Sequence, residues 1–267
     1  MTTASIVVHK TPEPQLRKAL KCLKNSSVDH IYIIDNSPED NLKKIVKDYS
    51  NLSYHFVENK GYGAGHNIAI KEAIKKGSNY HLVMNSDVVW EGDIISLINS
   101  YMEMNPDVGL VSPKTYYPNG ELQYTCRLLP TPYDMFLRSL LPEKWCKRRE
   151  KYYLLKEHDH KKSLNCPYLL GSFMFFRIDA LKDCGIFDER FFMYPEDIDI
   201  TRRIHEKWRT MYWPEVSIIH EHQQASKKSY KMFWIHLTNM IKYFNKWGWL
   251  IDKKRKYNNK NVLKQIS

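Results

Sequence analysis

Cysteine is scarce in this sequence, and long uninterrupted apolar segments are absent. The five cysteines among 267 residues are scattered, and no Cys-x-x-Cys pair occurs. Their odd number and wide spacing argue against a disulfide framework or a zinc site and favour a reducing compartment. No apolar run approaches the ~18 residues needed to span a bilayer. The chain also does not open with a basic segment followed by an apolar one. We therefore expect no signal peptide, and a protein that is soluble or peripheral to a membrane.

Acidic residues are fewer than basic ones. The chain has 41 Lys and Arg against 30 Asp and Glu, which gives a formal net charge of +11 at pH 7. Such an excess indicates an acidic partner: nucleic acid, anionic lipid or a phosphorylated substrate. The charge alone does not separate these three. The length of 267 residues is enough for one large α/β domain, with or without an appendage, and a hydrophobic content of 43% suits a folded protein with a core.

Short apolar segments alternate with helical patterns in the first part of the chain. Strands are predicted at residues 5–8, 30–34, 52–57, 80–84 and 108–112, and helices at residues 12–24, 42–49, 63–76 and 93–104. Further strands are predicted at residues 168–176, 210–213 and 216–219. Strands separated by helices indicate an α/β fold with a mostly parallel sheet covered on both faces.

Polar residues follow several of these strands. His9, Asp35, Glu58 with Asn59, and the triplet Asn85–Asp87 each come directly after a predicted strand. In open sheets of this kind ligands bind beyond the carboxyl ends of the strands, so these residues are expected to share one edge. A carboxylate there can hold a divalent cation, but Asn, Ser and Asp are also ordinary turn residues.

A glycine-rich segment, residues 59–67, connects the third strand to the next helix. Its glycines allow close approach of a ligand to the backbone, and a helix N-terminus favours phosphate. The spacing G-x-G-x-G differs from the dinucleotide fingerprint G-x-G-x-x-G, so a dehydrogenase is disfavoured. A flexible connection without a ligand is the alternative.

Residues 187–204, FDERFFMYPEDIDITRRI, carry the most informative pattern. An apolar and aromatic run leads to Pro195, and Glu196, Asp197 and Asp199 follow at the start of a predicted helix. Carboxylates at such a position can cap the helix, bind a metal or act as a base. The helix N-terminus lowers the pKa of a carboxyl group, whereas exclusion of water by the preceding aromatics raises it.

The histidines after the last predicted strand, His220 and His222, are candidate metal ligands. A lone histidine in this position is more often structural, and a second one nearby modestly favours a ligand role. His220 and Asp87 are therefore a candidate pair.

The C-terminal part of the chain is basic and aromatic. Residues 138–162 are expected to form a variable helical insertion or loop, and residues 227–249 a helix that mixes apolar side chains with lysines. Such a helix suits a membrane interface, and packing on the core is an equal alternative. Residues 252–267 are expected to be a basic, frayed tail.

Taken in order, these segments resemble the inverting glycosyltransferases of family 2, and among them the rhamnosyltransferase-like enzymes of bacterial O-antigen and capsule assembly. The resemblance covers residues 5 to about 226 and is carried by IYIIDNS, ENKGYGAGHN, LVMNSDV, GSFMFFR, GIFDERFFMYPEDIDITRRI and YWPEVSIIH. It implies a GT-A fold, a Rossmann-like, mostly parallel sheet flanked by helices, over residues 1–226. The nucleotide-binding half would be residues 1–113, the acceptor and catalytic half residues 114–226, and residues 227–267 an amphipathic helix and tail.

The resemblance also implies a nucleotide-sugar pocket. Asp35 would recognise the nucleotide base, with His9 close by, although the family commonly has a Tyr-Asn type pair where this chain has His9-Lys10. The remaining residues of the pocket would be Gly61, Gly63, Asn67, Asn85, Asp87 and Gly171.

The same resemblance implies a metal site and a base. Asn85–Asp87 stands where the family has D-x-D or N-x-D, so Asp87 would bind Mg²⁺ or Mn²⁺. His220 would be a second ligand, with His222 as the alternative. Asp197 would be the catalytic base, and Glu196 would cap the helix or orient Asp197.

The activity implied is transfer of L-rhamnose or a related deoxysugar, from dTDP-rhamnose for example, to a polyprenyl-diphosphate-linked glycan. A UDP-hexose donor is the alternative. The expected location is the cytoplasmic face of the cell membrane, where anionic lipid would suit the positive charge. A nucleic-acid-binding protein is disfavoured because no recognisable binding module accompanies the charge, so no nucleic-acid partner is expected. A non-catalytic membrane scaffold is the remaining alternative.

Overall fold

The structure, a computed structural model, describes residues 1–136, 143–221 and 230–266. Its strands are β1 (Thr2–Val8), β2 (His30–Asp35), β3 (Leu52–Phe56), β4 (Tyr80–Met84), β5 (Val88–Val89), β6 (Val108–Tyr116), β7 (Leu122–Gln123), β8 (Cys126–Arg127), β9 (Leu164–Asn165), β10 (Tyr168–Leu169), β11 (Phe173–Arg177) and β12 (Arg209–His220). Its helices are α1 (Glu13–Lys24), α2 (Tyr62–Lys75), α3 (Ile94–Met104), α4 (Pro132–Phe136), α5 (Glu143–Tyr153), α6 (Ile178–Cys184), α7 (Glu196–His205), α8 (Tyr230–Trp247) and α9 (Lys253–Ile266).

One large sheet organises the chain, in the order β3-β2-β1-β4-β11-β6-β12-β5. Strands β3, β2, β1 and β4 are parallel to one another. β11 enters antiparallel between β4 and β6, and β12 runs parallel to β6. This arrangement confirms the predicted α/β fold with a mostly parallel central sheet.

The sheet is buried on both faces. Along β4, Leu82 and Met84 pack into one apolar cluster, and Val83 packs into the other. Helices therefore cover both sides, as expected for strands that read as continuous apolar runs. The first cluster includes α1 and α3, whereas the second includes α6, α7 and parts of α8 and α9.

Three predicted strands differ from those observed. Residues 168–176 form two strands, β10 and β11, separated at Gly171. The Gly171 N–H donates to Asp197 and its carbonyl accepts from the Tyr62 hydroxyl, so neither group pairs with a neighbouring strand. The strands predicted at residues 210–213 and 216–219 are one strand, β12. Its pairing with β6 shifts register between Trp213 and Ser217, so the chain continues through an irregularity rather than a turn.

The predicted helices mostly match, with local differences. Residues 43–48 form a 3₁₀ helix rather than an α-helix. Within the predicted 138–162 insertion the structure describes α5, while residues 137–142 lie outside the described residues. The helix predicted at residues 227–249 is observed as α8, and residues 227–229 also lie outside the described part.

The prediction of a frayed tail at residues 252–267 is wrong. This segment forms α9, whose side chains Arg255, Asn258 and Val262 are buried. The Arg202 guanidinium in α7 donates to Asp252 at 2.7 Å, and both side chains are almost fully buried. Asp252 also accepts from the Arg255 N–H and so caps α9, which ties this helix to the helix that carries the acidic pair.

The exposed surface carries apolar residues on α8 and in the loop after it. Along α8, Met240, Tyr243 and Phe244 are fully buried, whereas Tyr230 and Trp234 are exposed. One face of α8 therefore packs on the core, which was one of the two alternatives for this helix. No helix in the described ranges combines the length and apolar character needed to cross a bilayer.

Gly61 allows the start of α2 to contact the segment before α7. Its φ is +106°, and a Cβ there would lie 2.3 Å from the Phe192 carbonyl oxygen. The N–H of Tyr62 donates to that same oxygen at 3.0 Å. Position 61 thus requires glycine for two reasons: its backbone conformation has a positive φ, and the Phe192 backbone leaves no room for a Cβ.

Replacing Gly61 with alanine should destabilise the protein by more than ~2 kcal/mol, because backbone strain of ~1–2 kcal/mol adds to the clash with Phe192. Gly77→Ala is the matched control, since Gly77 also has positive φ (+72°) but a Cβ added there would meet no heavy atom within 4 Å. Urea unfolding of both variants measures the difference. Equal losses of unfolding free energy in the two variants would show that the contact with Phe192 does not contribute to stability.

Candidate active site

The carboxyl ends of β1 and β2 bring His9 and Asp35 together. The His9 ring donates through Nδ1 to the carbonyl of Asn36 at 2.7 Å. The Asp35 carboxylate is fully buried and accepts from the Tyr54 hydroxyl at 2.6 Å and from the Ser37 N–H at 2.8 Å. Asp35 therefore shapes the loop after β2 as well as standing at the sheet edge.

The Tyr54 hydroxyl connects this loop to strand β3. It lies 2.6 Å from both the Asp35 carboxylate and the Asp40 carboxylate. Burial and hydrogen bonds to both carboxylates raise the pKa of Tyr54, so the phenol keeps its proton. At the same edge of the sheet, a depression is lined by His9 and by residues 36–38 and 56–59.

Several residues of the glycine-rich segment pack against the chain that leads to α7. A Cβ at Gly63 would lie 2.9 Å from the Phe187 side chain. Asn67 is buried, and its amide bonds to the Phe187 N–H and carbonyl and to Glu189. Gly63 and Asn67 thus fix the start of the apolar run that leads to Pro195.

Asp87 and His220 meet because β12 pairs with β5, with His220 opposite Val88. The His220 Nε2 lies 3.4 Å from Asp87 Oδ1 and 3.3 Å from Asn85 Nδ2. On the other side of the ring, Nδ1 lies 2.8 Å from Gln123 Oε1. When Nδ1 donates to this oxygen, Nε2 keeps its lone pair toward Asp87. The expected second candidate, His222, lies outside the described residues.

This donor set fits a divalent cation that arrives with its substrate. No three His, Cys, Asp or Glu side chains converge as metal ligands within residues 1–136, 143–221 and 230–266. One carboxylate and one imidazole leave most of the coordination shell to other oxygens. Mg²⁺ is commonly held by one or two carboxylates together with substrate phosphates. Asp87 and His220 thus suit a cation bound jointly with a diphosphate.

Asp197 is buried in the first turn of α7, with an exposure of 6%. One carboxylate oxygen accepts from the Gly171 N–H at 3.0 Å, and the other accepts from the Ile198 N–H at 2.8 Å. Desolvation raises the pKa of Asp197 to about 7, against the opposite effect of these two N–H groups and Arg127. The structure therefore decides between the two opposing effects expected from the sequence, in favour of burial.

Glu196 is even more buried, with an exposure of 4%. Burial and the adjacent charge of Asp197 raise its pKa well above the usual range. The backbone N–H groups of Glu196 and Tyr194 act in the opposite direction. Tyr194, two residues before Glu196, has φ +95°, an uncommon conformation for a residue with a side chain.

Tyr62 links the two halves of this site, and no sequence pattern predicts its role. Its hydroxyl lies 2.9 Å from Asn85 Oδ1 and 2.9 Å from the Gly171 carbonyl. Burial raises the pKa of Tyr62, and the charges of Glu196, Asp197 and Asp87 raise it further. A neutral phenol thus stands among three carboxyl groups.

The structure therefore assembles one set of the predicted residues around Tyr62: Asn85, Asp87, Gly171, Glu196, Asp197 and His220. His9 and Asp35 stand on neighbouring strands of the same edge, whereas Gly61, Gly63 and Asn67 hold the segment before α7. Two further polar residues, Gln123 and Tyr62, were missed. Gln123 lies in a two-residue strand with no periodic pattern, and Tyr62 is hidden within the glycine-rich segment.

Known proteins of similar sequence are rhamnosyltransferases. The N-acetylglucosaminyl-diphospho-decaprenol L-rhamnosyltransferase of Mycobacterium tuberculosis is 25% identical over an aligned length of 229 residues, and the alignment covers 80% of this chain and 74% of that protein. Rhamnosyltransferase WbbL of Escherichia coli K12 is 26% identical over 266 residues, 96% of this chain and 95% of that protein.

Solved structures share the fold. The Pyrobaculum calidifontis mannosyltransferase PcManGT, solved with GDP-Man and Mn²⁺, superposes with a TM-score of 0.61 at 14% identity over 90% of this chain. S. aureus TarS 1-349 superposes with a TM-score of 0.57 at 17% identity over 90% of this chain. The chain spans 64% and 66% of those two proteins. These neighbours confirm the expected GT-A fold.

The sequence model of glycosyl transferase family 2 matches residues 4–185, about two thirds of the chain. That stretch contains the parallel half of the sheet, Asn85–Asp87 and Gly171, and α7 begins shortly after it, at Glu196. The fold, the related sequences and this match agree, and the chain belongs to glycosyl transferase family 2.

Proposed function

We propose that this protein is an inverting glycosyltransferase that moves L-rhamnose or a related deoxysugar from a nucleotide-diphosphate donor to a hydroxyl group of a lipid-linked acceptor. The observation that carries the proposal is the buried Asp197 carboxyl, held by Gly171 and connected through Tyr62 and Asn85 to the Asp87–His220 pair. The names of the two related rhamnosyltransferases support the sugar, and one of them supports a diphosphate-linked acceptor. A UDP-hexose donor is the alternative.

Asp197 is suited to receive the proton of the acceptor. The acceptor oxygen bonds to the anomeric carbon, the bond from that carbon to the donor diphosphate breaks, and the hydroxyl proton passes to Asp197. One displacement inverts the anomeric configuration without a covalent intermediate. A base with a pKa near the working pH is the most effective, and burial brings the pKa of Asp197 to about 7. The Gly171 N–H fixes the orientation of the carboxylate throughout.

Asp87 and His220 would hold Mg²⁺ or Mn²⁺ together with the donor diphosphate. A bound cation would supply positive charge against the leaving group. Gln123 orients the imidazole, and Asn85 bonds both to His220 and to Tyr62. His9 and Asp35, at the adjacent strand ends, are proposed to contact the nucleotide, with Gly61, Gly63, Asn67 and Gly171 shaping the pocket.

Replacing Asp197 with asparagine should lower the transfer rate by ~10²–10⁴-fold while donor binding is preserved, because the amide cannot take the proton. In the unmodified protein the rate should rise as pH increases through about 7, since the base is active only when deprotonated. Transfer measured between pH 5.5 and 8.5 tests both points. Asp179→Asn, which neutralises an exposed carboxylate in the first turn of α6, is the control. Near-normal turnover of Asp197→Asn would remove Asp197 from the base role.

Removing the hydrogen bond between Gln123 and His220 should weaken cation binding by ~10–100-fold, as is typical for residues that orient a ligand. Electron paramagnetic resonance of Mn²⁺ with dTDP measures the affinity independently of transfer. Gln123→Leu should lose affinity, whereas Gln123→Glu keeps an oxygen that accepts from Nδ1 and should retain it. Unchanged affinity in Gln123→Leu would argue against His220 as a ligand.

The surface beside α8 is proposed to rest on an anionic membrane. Leu250 and Ile251 are exposed by 81% and 83%, an unusual exposure for two consecutive aliphatic side chains. Exposed lysines, Lys253 and Lys256, follow directly. Apolar side chains flanked by lysines complement the acyl chains and head groups of anionic lipid. This surface would keep the site close to a lipid-linked acceptor. We therefore propose the inner face of the cell membrane as the location of the protein.

Replacing both Leu250 and Ile251 with glutamate should abolish flotation with vesicles that contain anionic phosphatidylglycerol, because apolar contact is lost and like charges repel. Binding of the unmodified protein should be weaker on phosphatidylcholine vesicles and at high salt. Met104→Glu is the matched control, because Met104 is 75% exposed and lies on α3, which packs into the other apolar cluster from α8 and α9. If the double variant floats as well as the control, this surface does not bind the membrane.

A further inference from the structure

Arg127 lies near enough to Asp197 for the charges of the two side chains to interact. It belongs to β8, which pairs with β10 so that Arg127 stands opposite Tyr168. The β10 strand packs on α7, where Thr201 donates to the Leu169 carbonyl. Two residues after β10, Gly171 holds the Asp197 carboxylate. The strand pair thus brings a guanidinium into the neighbourhood of the proposed base.

The bonding of Arg127 differs from that of the other arginines with restricted exposure. Its Nε donates to the Tyr124 carbonyl at 2.8 Å, and the guanidinium lies 5.7 Å from the centre of the Tyr168 ring. Among the described residues no carboxylate lies within salt-bridge distance of it. Each of the others bonds to a carboxylate or to several backbone carbonyls: Arg17, Arg149, Arg177, Arg202, Arg203, Arg209 and Arg255.

The surroundings of Arg127 keep it charged. Burial opposes its charge, but the phenols of Tyr168 and Tyr153 and the carboxylate of Asp197 outweigh that effect and raise the pKa of Arg127. The guanidinium also bonds to the Tyr153 hydroxyl, a neutral partner, so this half-buried cation has no carboxylate to balance its charge. A guanidinium presents a planar fork of donors that matches the oxygens of a phosphate group.

We propose that Arg127 binds a phosphate oxygen of a diphosphate group while the reaction takes place at Asp197. This inference rests on the proposed function, in which two diphosphates reach the site. One belongs to the nucleotide-sugar donor, and the other joins the acceptor sugar to its lipid. Both present the same chemistry to Arg127, and binding measurements distinguish them.

The test is titration calorimetry with three probes. The first is dTDP with Mn²⁺, the second is N-acetylglucosamine joined through a diphosphate to a short prenyl chain, and the third is octyl N-acetylglucosaminide, which has no phosphate. Arg127→Gln should weaken one of the two diphosphate probes by ~10–100-fold, the loss typical of a charge-assisted hydrogen bond. The affected probe identifies the source, and the phosphate-free glycoside should be unaffected.

Two further variants make the result decisive. Arg127→Lys keeps the charge without the fork, so it should weaken the same probe by a smaller factor and carries the test if Arg127→Gln does not fold. Arg148→Gln removes an exposed arginine from α5 and should change nothing. Circular dichroism establishes that each variant is folded.

The three ways in which the test can fail are distinguishable. If the unmodified protein binds both diphosphate probes and Arg127→Gln binds them equally well, the role of Arg127 is refuted while the proposed function stands. A uniform loss that includes the phosphate-free glycoside would make Arg127 purely structural. If the unmodified protein binds neither diphosphate probe, the proposed function fails and the inference fails with it.

Discussion

The burial of two adjacent carboxyl groups at the start of α7 is the constraint on which the site depends. Glu196 and Asp197 together would be unfavourable in an apolar interior, because each raises the cost of ionising the other. The helix N-terminus and the Gly171 N–H offset part of that cost for Asp197. The part of the cost that is not offset raises the pKa of Asp197 to about 7, which suits the proposed base. The same burial therefore lowers the stability of the folded protein and prepares the carboxyl group for proton transfer.

Much of the surrounding structure holds this helix start in place. The strand break at Gly171 is needed because its backbone groups bond to Asp197 and Tyr62. The approach of Phe192 to Gly61 fixes the segment before Pro195 on one side. From the other side, Asn239 of α8 donates to the Met193 carbonyl, and Lys246 pairs with Asp199. The C-terminal helices are therefore part of the support of the site, besides any contact with lipid.

The sequence predicts those features that arise from local patterns. Parallel strands such as β2 and β4 are visible as apolar runs, and the acidic start of α7 is visible after Pro195. The antiparallel entry of β11, the bond from Gln123 to His220 and the placement of Arg127 depend on pairing between segments far apart in the chain. No local period encodes such contacts. Burial is also a tertiary property, so the direction of the Asp197 pKa follows only once the fold is known.

Asn85, where the family often has a carboxylate, is consistent with this electrostatic balance. Tyr62 already experiences the charges of Glu196, Asp197 and Asp87. A fourth carboxylate at position 85 would further disfavour the ionised form of Asp197 and raise its pKa. An amide instead offers a donor to His220 and an acceptor to Tyr62. Asn85 thus connects the Asp87–His220 pair to Tyr62, near the proposed base Asp197, without adding negative charge, and it leaves Asp87 as the carboxylate of this triplet that can attract a cation.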